Sequence, residues 1–266
     1  MVLLRQALRT RWKIFKDNME VRFGFRHYLT PPRRYDNINI GDNRKIAAEF
    51  FGYFKVFGNL QPDHKVLEVG SGFGRMAVPL TDYLNQRGSY DGLEIMNDAF
   101  NWCNSNFTPR FPNFKFHKVD VYNKRYNPTG KQKASDYEFP FKQEAFDFIW
   151  VTSVFTHMFW EEIERYLFEI YRVLKPGGTC CITWYIMDPI SLSLTAKDKG
   201  TYNFKHYREG YWVESKEDLL YQIAFAKENV EKLYQRIGFK ELEIKKGKWS
   251  GYSNGLSFQD VVIANR

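Results

Sequence analysis

The first chemistry legible in this chain lies in a carboxylate and a run of alternating glycines. In VLEVGSGFGRMAV, residues 66–78, Glu68 stands two positions before Gly70, and Gly70, Gly72 and Gly74 alternate. Read from Glu68, the pattern is E-x-G-x-G-x-G. Read from Gly72, it is G-x-G-x-x-A ending at Ala77, the dinucleotide fingerprint. Either way, glycines here remove Cβ atoms and let a ligand approach the backbone. The two readings imply different ligands.

An acid at Glu68 suits a ligand that carries a cationic amino group. A helix expected from Phe73 to Asn85 would offer its first N–H groups to a carboxylate. S-adenosylmethionine has both groups in its amino-acid tail, whereas a dinucleotide brings a pyrophosphate instead. Ser71 and Arg75 flank the glycines and join the expected cofactor set. Glu94, 20 residues past Gly74, is placed to accept from two ribose hydroxyls, with Ile95 beside it. That acid fits either cofactor. Asp120 could accept from an adenine amino group, with Val121 and Tyr122 against the ring, or it is a turn residue.

Transfer of a methyl group from a sulfonium carbon is an in-line displacement that asks an enzyme to position the acceptor and exclude water. A hydroxyl acceptor also gains from a general base. Thr152, Ser153, Thr156 and His157 follow the fourth expected strand. Thr152 is assigned to the cofactor and His157 to the base, since imidazole ionises near neutrality. A lone histidine at a helix start also serves as a cap or a packed residue. His206 and Asp188 are further base candidates. Tyr185, His206, Tyr207 and Trp212 are the expected acceptor contacts, with Trp184, Tyr202, Phe204 and Tyr211 nearby.

Elements must bring these groups together. Apolar runs predict strands at Lys65–Val69, Tyr90–Glu94, Asn113–Val119, Phe146–Thr152 and Thr179–Tyr185. Helices are expected over Asp42–Phe57, Asn97–Phe107, Trp160–Leu174 and Lys216–Ile237. A strand from Gly238 to Ile244 and another over Ser257–Ala264 close the chain. Strand–helix alternation implies a parallel sheet wrapped on both faces. Residues 123–140 read as a surface loop, and residues 187–213 as an aromatic insertion after the fifth strand. Leu4, Leu8, Trp12 and Phe15 lie at helical spacing. They read as the face of an N-terminal helix packed on the body, or else as a basic amphipathic helix that covers a site or touches a membrane. Arg33, Arg34 and Tyr35 are placed to fold over the cofactor.

The net charge of +8 is spread over several short runs, so solvated lysines explain it better than a nucleic-acid groove does. Three cysteines, Cys103, Cys180 and Cys181, offer neither metal spacing nor an even disulfide set. The expected setting is a reducing cytoplasm. No apolar run is long enough to span a bilayer.

VLEVGSGFG, YDGLEI, KVDVYN, FDFIWVTSVFTHM and LFEIYRVLKPGGTCCITWY occur in that order. Together they resemble the class I S-adenosylmethionine-dependent methyltransferases. Ser71 stands where many members have cysteine, and the loop at 123–140 is longer than the minimal pattern. The resemblance implies a three-layer, doubly wound, Rossmann-like α/β fold. Its seven-stranded sheet has an antiparallel last strand. Residues 1–41 would form an N-terminal helical or lid segment and residues 42–266 the methyltransferase domain. The expected activity is methyl transfer to a small-molecule or glycan acceptor, at oxygen before nitrogen. No Asn/Asp-Pro-Pro-Tyr/Phe signature follows the fourth strand, where Thr152–Phe155 stand instead. RNA methylation, a non-catalytic cofactor-binding module and a nicotinamide-dependent reductase are the competing readings.

Overall fold

The computed structural model describes residues 2–35 and 43–266. Asp42, at the expected start of a helix, and the side chains of Leu4 and Arg34 lie outside the described residues. α1 (Val2–Arg22) is followed by a short 3-10 turn at Arg33–Tyr35. α2 (Asn43–Val56), β1 (Lys65–Val69), β2 (Ser89–Glu94), α3 (Asn97–Asn106), β3 (Phe114–Lys118), β4 (Phe146–Val151), α4 (Trp160–Val173) and β5 (Leu174–Trp184) build the first half. Then come β6 (Ile186–Met187), α5 (Pro189–Thr195), β7 (His206–Arg208), β8 (Tyr211–Val213) and β9 (Ile223–Ala226). α6 (Lys227–Ile237), β10 (Lys240–Lys245) and β11 (Asp260–Asn265) complete the chain.

Seven strands form one sheet in the order β10-β11-β5-β4-β1-β2-β3. β1 to β5 run parallel, and β11 is antiparallel to both β5 and β10. The expected fold class is therefore the observed one. Side chains alternate across each strand. Leu67, Val69, Ile149 and Ile182 face α4 and α6 in one core. Val66, Tyr90, Phe148 and Trp150 face α2 and α3 in the other. Glu68 shares the second face, opposite Gly92 on β2 and Trp150 on β4. Burying each large apolar side chain contributes about 2 kcal/mol, so both faces are strongly held.

Three expectations need correction. Residues 73–85 are not an α-helix. They form successive turns, with a 3-10 helix only at Val78–Thr81. Gly74 has φ +73°, and Pro79 lacks the N–H that a continuing α-helix would use. Residues 216–237 are helical only from Lys227. The apolar run Ile223–Ala226 is β9, paired with β8 and β6. The aromatic insertion supplies three strands of a small sheet ordered β6-β9-β8-β7. Finally, Leu8, Trp12 and Phe15 are exposed, so this face of α1 does not pack on the body.

One buried carboxylate pins the 123–140 loop to α4. Glu169 accepts from the Phe139 amide at 2.8 Å and pairs with Arg172 at 2.6 Å and Arg165 at 3.4 Å. Glu169→Ala leaves that amide and part of two guanidiniums without a partner. The expected cost is about 2–3 kcal/mol, seen as a Tm lowered by roughly 5–8 °C. An unchanged Tm would show that the loop is held by other contacts.

Candidate functional site

β1 delivers Glu68 to the sheet's carboxyl edge, and the chain turns at once through the glycines. Gly70 has φ +79°, and a Cβ there would lie 2.5 Å from Val154. Gly72 has φ +53°, but a Cβ on it would meet nothing within 4 Å. Gly70 is thus required by packing, whereas Gly72 borders open space. Ser71 Oγ in the same loop is buried without a hydrogen-bond partner. Across the loop, Glu94 is buried and holds both flanks. It accepts from the Gly72 amide and the Met96 amide, each at 2.6 Å. Each oxygen keeps a lone pair for a further donor. Burial raises the Glu94 carboxyl pKa, against the pull of those amides. Half-buried Ile95 lies beside it, its carbonyl held by Lys118.

Glu68 is the most perturbed carboxylate of the site. Burial pushes its pKa up to about 8, although the Tyr90 hydroxyl donates to it at 2.6 Å. Arg75 lies close enough to favour its charged form, and burial lowers the Arg75 pKa in turn. A glutamate in the unfolded chain ionises at 4.5. Folded Glu68 therefore keeps its proton where the unfolded chain has lost it. Its contribution to stability is complete below pH 4.5 and is lost as pH rises toward 8. Glu68→Gln keeps the acceptor for Tyr90 but cannot ionise. The variant is expected to gain about 2 kcal/mol on the wild type between pH 4.5 and 8. Denaturant unfolding at several pH values reads this directly. Parallel curves for the two proteins would place the proton elsewhere.

Asp120 is exposed past β3, its carbonyl taking the Lys131 and Gln132 amides, and Val121 is buried behind it. Asn127 donates to the Val121 carbonyl at 2.9 Å, so the long loop braces this side. Thr152 is half-buried at the end of β4. Ser153 follows with φ +56°; its amide donates to Thr183 Oγ1 at 2.7 Å, and its hydroxyl bonds Gln259 at 2.9 Å. Gln259 also bonds the Tyr185 hydroxyl. His157 Nδ1 faces the Leu220 carbonyl at 2.9 Å. That contact requires a proton on Nδ1, which leaves a lone pair on Nε2. Burial lowers the His157 pKa and so favours this neutral form.

The structure divides the expected acceptor set. Tyr185 is buried among Tyr202, Phe204, Trp249 and Phe258, with ring centroids 5.3–6.4 Å apart. Trp212 packs against that cluster. Tyr207 is exposed on β7, touching Trp212 at 5.0 Å, and His206 is half-buried on the same edge strand. Trp184 points to the opposite face, where its indole meets the Tyr234 hydroxyl at 3.3 Å. Asp188 caps α5 through the Ser191 amide and pairs with Lys246, so it is already committed. Burial of Asp260 raises its pKa to about 6. It accepts from Ile186, Gly247 and the Trp249 indole, each at 2.7 Å. A cleft of about 920 Å³ opens away from the cofactor candidates, lined by Phe159, Trp160, Arg208, Tyr211 and Lys232 among others. Gln259 was not marked as a contact by the sequence, because it lies far along the chain on the way into β11.

A methyltransferase-domain family model matches residues 67–182, from β1 through the end region of β5. With the seven-stranded sheet, this domain supports a methyltransferase of the class I S-adenosylmethionine-dependent family. S-adenosylmethionine is the cofactor of that family. The chain is 27% identical over 139 residues to a ubiquinone/menaquinone biosynthesis C-methyltransferase, UbiE, from Wigglesworthia glossinidia brevipalpis. The match covers half of each chain, so the protein spans about half the length of this relative. A Methanosarcina mazei S-adenosylmethionine-dependent methyltransferase superposes with TM-score 0.53 at 20% identity, over 80% of this chain and 96% of that one. Burkholderia thailandensis 1,6-didemethyltoxoflavin-N1-methyltransferase gives 0.53 at 12% identity, over 87% of this chain and 81% of that one. The latter holds 1,6-didemethyltoxoflavin and S-adenosylhomocysteine. These structures establish the fold.

The residues present fit the cofactor. Open space beside Gly72, an orphaned buried hydroxyl on Ser71 and spare lone pairs on Glu94 all border one loop. The absent helix at 73–85 counts against a pyrophosphate, which would use such a helix start. It equally withdraws the helix start offered above to a carboxylate.

Proposed function

We propose that the protein methylates a small-molecule or glycan acceptor at oxygen, with His157 as the base. The observation that supports this most is the His157–Leu220 hydrogen bond, which puts the proton on Nδ1 and leaves the lone pair on Nε2. When bound, S-adenosylmethionine supplies an electrophilic methyl on a sulfonium. Glu68, Gly70, Ser71, Gly72, Gly74 and Arg75 hold its amino-acid end. Glu94 and Ile95 take the ribose, Asp120 and Val121 the adenine, and Thr152 the neighbourhood of the sulfur. Tyr185 and Trp212 form the acceptor side, with Tyr185 kept in place by Gln259 and Tyr207 against Trp212 at its rim, whereas His206 lies on the other face of the small sheet. Aromatic rings there exclude water and stack on a flat acceptor.

The relatives named above act, by their names, at carbon and at a ring nitrogen. They favour small molecules without choosing the atom. The choice of oxygen rests on His157 alone. Calorimetric titration with S-adenosylmethionine and with NADH comes first, then a screen of phenols and sugars. Binding of the former only, with methylated phenol or sugar products, is the expected result. Binding without any product would favour a non-catalytic module, and binding of NADH alone would sink the assignment.

A further inference from the structure

We propose that α1 docks the protein on an anionic lipid bilayer, lying flat in the headgroup region. Trp12, Phe15 and Phe23 are 62%, 63% and 61% exposed, and Phe25 just beyond the helix is 84% exposed. Leu8 and Met19 continue the row. At ~100° per residue, the positions from Leu8 to Phe23 fall within about 80° of arc. A narrow apolar stripe left bare from Leu8 to Phe23 calls for a partner.

Charge selects which partner. Arg11 and Arg22 border the stripe on one side and Lys16 on the other, all exposed. Lys16 sits over the Trp12 ring at 5.5 Å and reaches Glu20 at 3.8 Å. Long basic side chains flanking aromatics suit an interface where rings enter the acyl boundary and cations meet phosphates. The acids point elsewhere. Asp17 is buried and takes the Arg33 amide at 2.9 Å and its guanidinium at 2.6 Å, and Glu20 pairs with the same arginine. These bonds fix the roll of α1, so that the stripe faces outward. No helix among the described residues is long and apolar enough to cross a membrane, which leaves surface binding as the mode.

The same strap reaches the cofactor loop. Tyr35, two residues past Arg33, stacks on Phe73 at 4.3 Å. A docked helix would thereby hold the glycine loop beside the bilayer.

The test is co-sedimentation of the full chain with vesicles of phosphatidylcholine, with and without phosphatidylglycerol. Binding to the anionic vesicles, weakened by added salt, is expected. The double variant W12S/F15S should bind about 100-fold more weakly. Both side chains are exposed, and unchanged circular dichroism and S-adenosylmethionine affinity will confirm that the fold is intact. Absence of vesicle binding by the wild type, or equal binding by the variant, would overturn the proposal. So would a wild-type dimer that the variant abolishes without any vesicle binding, which would make the stripe a contact between copies.

Discussion

Gly72→Arg is expected to fold and to lose S-adenosylmethionine. The position has φ +53°, so any L-residue adds roughly 1 kcal/mol of backbone strain. Nothing lies within 4 Å of the added Cβ, so packing does not oppose the change. The Gly72 amide keeps its bond to Glu94 in either variant, since only the side chain differs. What changes is the space. A guanidinium would occupy the region into which the loop opens and would meet the Glu94 carboxylate. Affinity should fall about 1,000-fold or more, a loss of roughly 4 kcal/mol, while Tm moves by only a few degrees. Gly72→Ala supplies the control: it has the same strain with little bulk, and should weaken binding far less. Calorimetry on the three proteins separates the cases. Equal affinities in all three would mean the cofactor sits elsewhere, and the site assignments would fall together.

Removal of His157 should affect turnover and leave cofactor binding alone. His157→Ala deletes the proposed base, and kcat toward a hydroxyl acceptor should drop about 100- to 1,000-fold. The Kd for S-adenosylmethionine should stay within about 2-fold of wild type, since no cofactor candidate bonds the ring. Burial lowers the imidazole pKa from 6.5, with the Leu220 bond opposing it. The neutral, proton-accepting form therefore persists below pH 6.5 in the wild type. Its rate should hold flat down through that value and decline only at lower pH. The variant should lack this acid limb. A pH–rate profile makes the distinction that a packing role would not, because a merely structural histidine would change Tm and leave the limb in place. A variant with full activity would remove the case for oxygen as well.

The central sheet was legible because its strands are short apolar runs bounded by glycine, proline and asparagine. VLKPGG before TCCITW marked the fifth strand's approach, and Gly177 does take φ +79° there. The turn at 73–85 was misread because Phe73, Met76, Ala77 and Leu80 keep helical spacing even though the backbone turns. All four are buried, so the periodicity reported burial and not helix. Ile223–Ala226 was misread for a different reason. Its strand state is decided by β8 and β6, and such non-local pairing leaves no local signature. The proposed cofactor residues come from consecutive strand ends, so their residue types and their order along the chain could group them. The Ser153–Gln259 bond joins residues 106 positions apart, and no spacing rule could have paired them.

The placement of β11 between β5 and β10 carries a consequence for the order of assembly. β10 is made first, yet among the described residues its only bonded neighbour in the sheet is β11. It has nothing to join until the later strand exists. The two can meet as a hairpin with little loss of chain entropy and then add to β5 together. Until they do, β5 presents a bare, apolar edge, and Asp260 is not there to take the Ile186 and Gly247 amides. The half-made protein is then a template for another copy's strand. The proposed cofactor half can be complete while the proposed acceptor half is still an open seam.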